Sequence, residues 1–278
     1  MSKDKKRLGL AGEDKHSLKS KGEVAVEPKE PALPHLPGDP TTLAIDIGGS
    51  GMKMMILDAS GRPLTERLRV PTPVPPTTRN MLADLLRMAD QMTGFDRVSV
   101  GFPGVIKHGR TMTAANLHKS WIDFPLEATL TKMWKRPVRV CNDAAVQGYG
   151  AIEGKGVELV ITLGTGMGSA LYTSGRLSPG LELGHHPWRK GKTYEEFLGR
   201  KGLEKYGNKR WNALLSKAID QTARTFNWDR LYIGGGNARR ITIRLPSRAR
   251  VISNEEGLLG GVALWRDSVR TAAGDLAN

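Results

Sequence analysis

Two stretches of this chain repeat one local design, and that repetition limits its fold more than any other feature. In the first, an apolar segment at residues 43–47 enters Gly48-Gly49-Ser50-Gly51, and a second apolar segment at 54–57 leaves it. In the second, Leu159-Val160-Ile161-Thr162-Leu163 runs into Gly164-Thr165-Gly166-Met167-Gly168 and leaves as Ser169-Ala170-Leu171-Tyr172. Each unit reads as strand, glycine turn, strand. The tip of such a hairpin can bring backbone N–H groups near an anion, because glycine tolerates the positive φ that tight turns demand. An ordinary hairpin turn accounts for either copy alone; two copies point to an internally duplicated fold. The first is not a Walker loop, which needs GxxxxGK[ST] leading into a helix, whereas Lys53 opens a strand. A Rossmann fingerprint is absent as well.

A third glycine cluster, Gly234-Gly235-Gly236-Asn237, ends the apolar run Leu231-Tyr232-Ile233 and precedes a segment, 238–243, that can start a helix. Small residues there let a flat group lie against backbone. Between the clusters, strands and helices alternate, which implies a mixed α/β sheet in each repeat. Residues 69–78 carry four prolines and read as an extended connector. Met81, Leu82, Leu85, Met88, Ala89 and Met92 fall at helical spacing and predict an amphipathic helix over 78–92 with core-facing methionines. A strand is expected over 97–100, followed by a sharp turn at Gly101-Phe102-Pro103-Gly104. A helix over 125–135 closed by Pro137, a strand over 138–141 and a final helix from 257–258 to 269–272 complete the pattern.

At 278 residues the chain can bury one large or two modest cores, and the duplication favours two lobes with a cleft between them. The expected division is a disordered tail over 1–40, a smaller α/β lobe over 41–137 and a larger α/β lobe over 138–257. The tail lacks apolar periodicity and is rich in Lys, Glu, Gly and Pro. No apolar run approaches the ~20 residues of a membrane span, and no signal-peptide segment opens the chain. A cytoplasmic protein with no membrane partner is therefore expected. Cys141 is the one cysteine, which excludes an internal disulfide and any multi-cysteine metal site, and its place at a strand end makes it a small core residue.

The net charge is +14, of which the tail holds only 8 − 7 = +1. Residues 189–250 contain sixteen Lys/Arg against five Asp/Glu, a net of 16 − 5 = +11. A surface this positive concentrates polyanions; a generic basic surface suited to solubility has the same composition. Nucleic acid is not the expected partner, since the chain has only five Phe and five Tyr and no recognition-module motif.

Asn142-Asp143 stands between a strand and the helix starting near Ala144. Ligands gather beyond strand carboxyl ends in such folds, and Asn and Asp also cap helices there, so both roles are open. In order along the chain, residues 46–53, 163–168 and 234–237 resemble the phosphate-one, phosphate-two and adenosine motifs of the sugar-kinase, actin and heat-shock chaperone superfamily. Within it the chain resembles the ROK (repressor, open reading frame, kinase) family over residues 43–265, particularly its polyphosphate glucokinase branch. The most specific pieces are Val140-Cys141-Asn142-Asp143-Ala144, residues 162–171 and Glu182-Leu183-Gly184-His185.

The resemblance implies a two-lobed actin-like ATPase (ribonuclease H-like) fold, a cleft between duplicated mixed-sheet domains, and a C-terminal helix packed on the first lobe. It makes Asp143 the general base that takes a proton from a sugar hydroxyl. Sugar contacts fall to Asn116, Asn142, Asp143, Glu182 and His185, since a buried hexose needs partners in every direction. Phosphates fall to Gly48, Gly49, Ser50, Gly51, Gly164, Thr165, Gly166 and Gly168, and to Lys53, which approaches phosphate or lies in solvent. Gly234, Gly235, Gly236 and Asn237 are assigned to a nucleotide, and Asp46 to a hydrated Mg2+ that keeps its waters and needs one or two carboxylates.

The chain departs from the family twice. His186-Pro187-Trp188-Arg189-Lys190 stands where many ROK kinases carry a cysteine-rich zinc motif, so structural zinc is not expected. Their further sugar-binding glutamate has two candidate replacements here, Glu195 and Glu196. The leading expectation is a glucokinase using inorganic polyphosphate and ATP, with homodimerisation among the states the resemblance implies. The alternatives are a strictly ATP-dependent hexose kinase and a sugar-sensing ROK regulator. A regulator needs an N-terminal helix-turn-helix, for which residues 1–40 carry no apolar pattern.

Overall fold

The computed structural model describes residues 38–114 and 116–266. The expected tail, residues 1–40, lies outside them except for its last three positions. Both glycine-turn repeats form antiparallel hairpins. In the first, β1 (Thr42–Ile47) pairs with β2 (Met52–Leu57), and β2 pairs with β3 (Leu68–Val70). On the other side of β1 lies β4 (Arg97–Phe102), parallel to it. A small hairpin, β5 (Ile106–Lys107) with β6 (Arg110–Thr111), precedes β7 (Val138–Asn142), which lies parallel to β4. The strand order is β3-β2-β1-β4-β7.

The second sheet repeats this walk. β8 (Val157–Leu163) pairs antiparallel with β9 (Met167–Thr173), and β9 with β10 (Arg176–Leu177). After the hairpin β11 (Pro187–Arg189) and β12 (Lys192–Thr193), strands β13 (Arg230–Gly234) and β14 (Ala249–Val251) join parallel on the far side of β8. The order β10-β9-β8-β13-β14 has the same wiring as the first sheet. This is the two-lobed actin-like ATPase fold.

Helices cover the sheets through the faces their spacing dictates. In α1 (Thr78–Ala89), Met81, Leu85 and Met88 are buried, and the Thr77 hydroxyl caps the Asn80 N–H at 3.3 Å. Helix α2 (Leu126–Trp134) adds Leu126 and Leu130 to the same core. Helix α3 (Asp143–Tyr149) starts where β7 ends. On the second sheet, α4 (Tyr194–Leu198) leads into α5 (Arg200–Phe226), which bends at Gly207 (φ 69°) and buries Trp211, Leu215, Ala218 and Ile219.

Four sequence expectations shift. The strand over 138–141 belongs to the first sheet, because β7 completes it beside β4, so the first sheet ends at Asn142 and not at 137. Residues 69–70 are strand, not connector: Leu68 and Val70 pack on the core despite the prolines that follow. The turn at 101–104 tightens to Pro103-Gly104, since β4 runs through Phe102. After the third glycine cluster only one 3-10 turn forms, Ala238–Arg240.

The last helix, α6, spans Asn254–Ala263 instead of reaching 269–272; residues 267–272 lie outside the described residues. It does pack on the first sheet, with Leu258 and Val262 against Ala44, Met55 and Leu57. Its end is set by tertiary contacts. The Trp265 ring lies 5.1 Å and 4.4 Å from the Arg97 and Arg139 guanidinium carbons and its Nε1 donates to Ser99 Oγ at 2.8 Å, which turns the chain onto the sheet. Among the described residues, no helix is long and apolar enough to cross a membrane.

Candidate active site

A cleft of about 710 Å³ lies where the glycine turns of the two sheets face each other. The first turn is closed by the Gly48 N–H donating to the Gly51 carbonyl at 3.1 Å, the second by the Gly164 N–H donating to the Gly166 carbonyl at 3.0 Å. The turns touch, with the Ser50 and Thr165 hydroxyls 3.0 Å apart. Asn116 reaches between them: a Cβ on Gly49 would lie 3.4 Å from Asn116 Cβ, and one on Gly166 would lie 3.0 Å from its Nδ2. Its loop is anchored by buried Trp121, whose ring sits 5.2 Å from Phe102 and whose Nε1 donates to the Pro76 carbonyl at 3.0 Å.

Asp143 stands at the junction of the sheets as the first residue of α3. One oxygen accepts the Ala144 N–H at 2.7 Å, which leaves the other for a ligand. Burial chiefly, then the neighbouring charges of Asp46 and Glu182, push its carboxyl up to about 7, against the opposing pull of the Ala144 N–H and Lys53. Asn142 caps α3: its Oδ1 accepts from Ala144 and Ala145 N–H at 3.0 and 3.3 Å, and its Nδ2 donates to the Gly104 carbonyl at 3.2 Å. It lines the cleft with its polar atoms already engaged. Cys141 is half-buried, and burial pushes its thiol up to about 12, so it stays protonated near neutral pH.

Lys53 does not lie free in solvent. It is half-buried, and its Nζ sits 2.6 Å from Asp46 Oδ2. Asp46 Oδ1 has no hydrogen-bond partner among the described residues. That oxygen fits a Mg2+ that keeps its waters and takes its remaining ligands from phosphate. No group of three or more His, Cys, Asp or Glu gathers as a metal site among the described residues.

The 3-10 turn Leu183–His185 carries Glu182 at its start. His185 Nδ1 lies 3.4 Å from Glu182 Oε2, and its Nε2 lies 3.9 Å from Glu195 Oε2, so the imidazole stands between two carboxylates. Burial raises the Glu182 pKa, with His185 opposing and Glu195 adding to the rise. Glu195 and Glu196 take different places in the structure. Glu195 lines the cleft and accepts the Met167 N–H at 3.0 Å, while Glu196 closes a capping box with Thr193. Thr193-x-x-Glu196 has the residue types and spacing of such a box. In place of a cysteine motif, this segment is packed by rings: Trp188 stacks on Tyr194 at 4.7 Å and meets Phe197 edge-on at 5.4 Å.

Of the third cluster, Gly235, Gly236 and Asn237 line the cleft, and Asn237 Nδ2 donates to the Gly164 carbonyl at 2.9 Å. Gly234 does not reach it. As the buried last residue of β13 it lies against Gln147, whose Oε1 would be 2.7 Å from a Cβ there. Sequence reading missed Arg67, Arg69, Gln147 and Thr113 in the lining. The alternation Arg67-Leu68-Arg69-Val70 was the available signal for the two arginines.

The ROK family model matches residues 42–203. A polyphosphate glucokinase of Mycobacterium tuberculosis (strain CDC 1551 / Oshkosh) is 32% identical over 237 residues, covering 78% of this chain and 88% of that protein. The solved inorganic polyphosphate/ATP-glucomannokinase of Arthrobacter sp. strain KM superposes with a TM-score of 0.74 at 33% identity, covering 82% of this chain and all of that one. A ROK family glucokinase from Streptomyces griseus, solved with glucose and AMPPNP, shares the fold at 20% identity and a TM-score of 0.67, covering 81% of this chain and 98% of the other.

Proposed function

The chain belongs to the ROK family, and from that premise we propose that it is a hexokinase that transfers a phosphoryl group from inorganic polyphosphate, and from ATP, to the 6-hydroxyl of glucose. The observation that carries this reading is the position of Asp143, with one carboxyl oxygen unengaged between the paired glycine turns and the Glu182–His185–Glu195 cluster. Phosphoryl transfer asks a protein mainly for alignment, charge neutralisation and a base.

In this reading the sugar lies against Asn116, Glu182, His185 and Glu195, with Asn142 holding the helix start that aims Asp143. A hexose binds through many directional hydrogen bonds, and two carboxylates flanking an imidazole supply acceptors and a donor at fixed spacing. Asp143 accepts the hydroxyl proton as the oxygen attacks phosphorus. A carboxyl with its pKa near neutrality suits that task, being ionised at working pH yet basic enough to hold a proton. The backbone N–H groups of the two turns, with Ser50, Thr165 and Lys53, hold the donor phosphates. Asp46 would hold Mg2+, which when bound neutralises phosphate charge.

The sequence and structural likeness to a polyphosphate glucokinase and a polyphosphate/ATP-glucomannokinase supports the choice of donor and sugar. A strictly ATP-dependent hexose kinase is the second reading, favoured by Gly235, Gly236 and Asn237 beside the second turn. The deciding experiment offers the purified protein glucose with polyphosphate or ATP and follows the sugar phosphate by phosphorus NMR. Product with both donors is expected. Product with ATP alone selects the second reading, and no product from a folded protein with either donor and any hexose rejects both.

A further inference from the structure

The donor end of the cleft carries charge that the transfer step does not use. Arg67, Arg69, Arg200 and Arg239 line it beside Lys53. Arg69 lies on β3 and Arg67 immediately precedes that strand, where Leu68 and Val70 pack against the core and leave both arginines exposed. In the strand register Asp46 faces Lys53 and Lys53 faces Arg69, so one row of charged side chains crosses three strands. A Cβ on Gly51 would lie 3.2 Å from Arg69 Nε, which places that guanidinium over the first glycine turn.

The other two belong to the second sheet's side. The Arg200 N–H donates to the Gly164 carbonyl at 2.9 Å, and Arg239 follows two residues after Asn237, whose side chain donates to that same carbonyl at 2.9 Å. One pair of arginines thus flanks each glycine turn, and the turns meet at Ser50 and Thr165, 3.0 Å apart. None of the four has a carboxylate partner among the described residues. The nearby acids are engaged elsewhere: Asp46 by Lys53, Glu182 by His185 and Glu195 by the Met167 N–H.

The positive stretch at 189–250 is not one binding face. Of its sixteen basic residues only Arg200 and Arg239 line the cleft. Arg248 and Arg250 lie 4.3 Å and 4.9 Å from the Trp228 and Tyr232 ring centres and donate to the Trp228 and Ala151 carbonyls. Among the described residues the cleft lining holds no Phe, Tyr or Trp. A single-stranded nucleic acid would need such rings to stack its bases, whereas a chain made of phosphate alone needs only cations.

We propose that Arg67, Arg69, Arg200 and Arg239 form a track for linear inorganic polyphosphate, with the terminal phosphate between the glycine turns and internal phosphates running outward across the guanidinium groups. Guanidinium forks match phosphate oxygens in pairs. The proposal rests on the kinase reading for the placement of the terminal phosphate, and it assigns selection of the donor by length to residues outside the transfer step.

The test uses the Arg67→Gln/Arg69→Gln and Arg200→Gln/Arg239→Gln double variants of the full chain. Long-chain polyphosphate and tripolyphosphate are titrated without sugar at several salt concentrations, and KM for each donor is then measured with glucose. Each variant should bind the long chain about tenfold more weakly. Its log affinity against log salt should flatten by ~1.4, at ~0.7 for each lost phosphate contact. Tripolyphosphate should lose less in both titration and KM, and the corresponding Arg→Lys doubles should recover the salt slope. The four side chains are exposed, so melting temperatures should stay near the parent's.

An unchanged salt slope, or equal losses for long and short donors, overturns the track. Because the titration needs no turnover, a folded protein that phosphorylates no sugar would reject the kinase reading and still test the track. A protein active with ATP that binds long polyphosphate no better than tripolyphosphate would reject the track and leave the kinase reading standing.

Discussion

The Lys53 ammonium stands 2.6 Å from the Asp46 carboxylate, across the cross-strand pair nearest the first glycine turn but one. Their side chains keep 22% and 21% of their surface exposed, so cleft water screens the pair and its contribution to stability is ~1 kcal/mol or less. Its electrostatic effect on the site matters more. Asp46 raises the Asp143 pKa and Lys53 lowers it, so the two charges act on that carboxyl with opposite sign.

Asp143→Asn should leave the fold intact and cost ~10²-fold or more in kcat, because the amide cannot accept the sugar proton. Steady-state kinetics on a protein with parental circular dichroism checks this. Near-normal turnover would reject Asp143 as the base.

Activity of the parent should rise with pH through about 7, as Asp143 loses its proton and becomes a base. Stability should move oppositely. The folded carboxyl binds its proton up to about 7 while the unfolded one releases it near the ordinary aspartate value of 3.8, so the folded state is the more protonated across that window. Stability then falls as pH rises from about 4 to about 7. Asp143→Asn removes that loss, and at pH 8 it should melt higher than the parent, by roughly 1–2 kcal/mol after screening by cleft water. Equal melting temperatures of the two proteins at pH 8 and a pH-independent kcat/KM would sink the assignment.

Asp46→Asn should displace the acid limb of kcat/KM to lower pH, whatever its effect on the maximum. The substitution removes a charge that raises the Asp143 pKa and releases Lys53, which lowers it. A limb that stays in place, or moves up, contradicts this electrostatic coupling.

Glu195→Ala and Glu196→Ala should separate cleanly. Loss of Glu195 should weaken glucose binding by calorimetry, as should Glu182→Ala and His185→Ala, since all three side chains meet in the cleft. Loss of Glu196 should spare glucose affinity and cost ~0.5–1.5 kcal/mol of stability through the capping box it closes with Thr193. Unchanged glucose affinity in the Glu182, His185 and Glu195 variants would move the sugar site elsewhere.

Gly260→Ala should destabilise the protein by ~1–3 kcal/mol in thermal or urea melts. A Cβ there would overlap the Val146 carbonyl of α3, which α6 approaches through its glycine. A neutral Gly260→Ala variant would mean that the two helices separate at little cost.

Much of the framework was legible from local rules. The duplicated hairpins, the buried methionine face of α1 and the strand-to-helix junction at Asn142-Asp143 each depend on residues a few positions apart, where periodicity, turn chemistry and capping operate. Long-range pairing decided the rest. That β7 belongs to the first sheet follows from its hydrogen bonds to β4, some forty residues earlier, which no local pattern encodes. Glu195 points into the cleft because its neighbour Glu196 is held at the helix start, and the cleft itself exists only when the second sheet faces the first.

The arginines show the same division in its sharpest form. Composition identified a positive segment at 189–250, yet charge along a chain does not report which side chains share a surface. Only the packing of two sheets brings Arg67 and Arg69 to the same cleft as Arg200 and Arg239, while Arg248 and Arg250 are drawn onto aromatic rings away from the cleft lining. The sequence by itself determined the glycine turns and the fold they impose, because backbone sterics are local. Tertiary structure alone decided which charges meet across the cleft, because Coulomb interactions act through space and not along the chain.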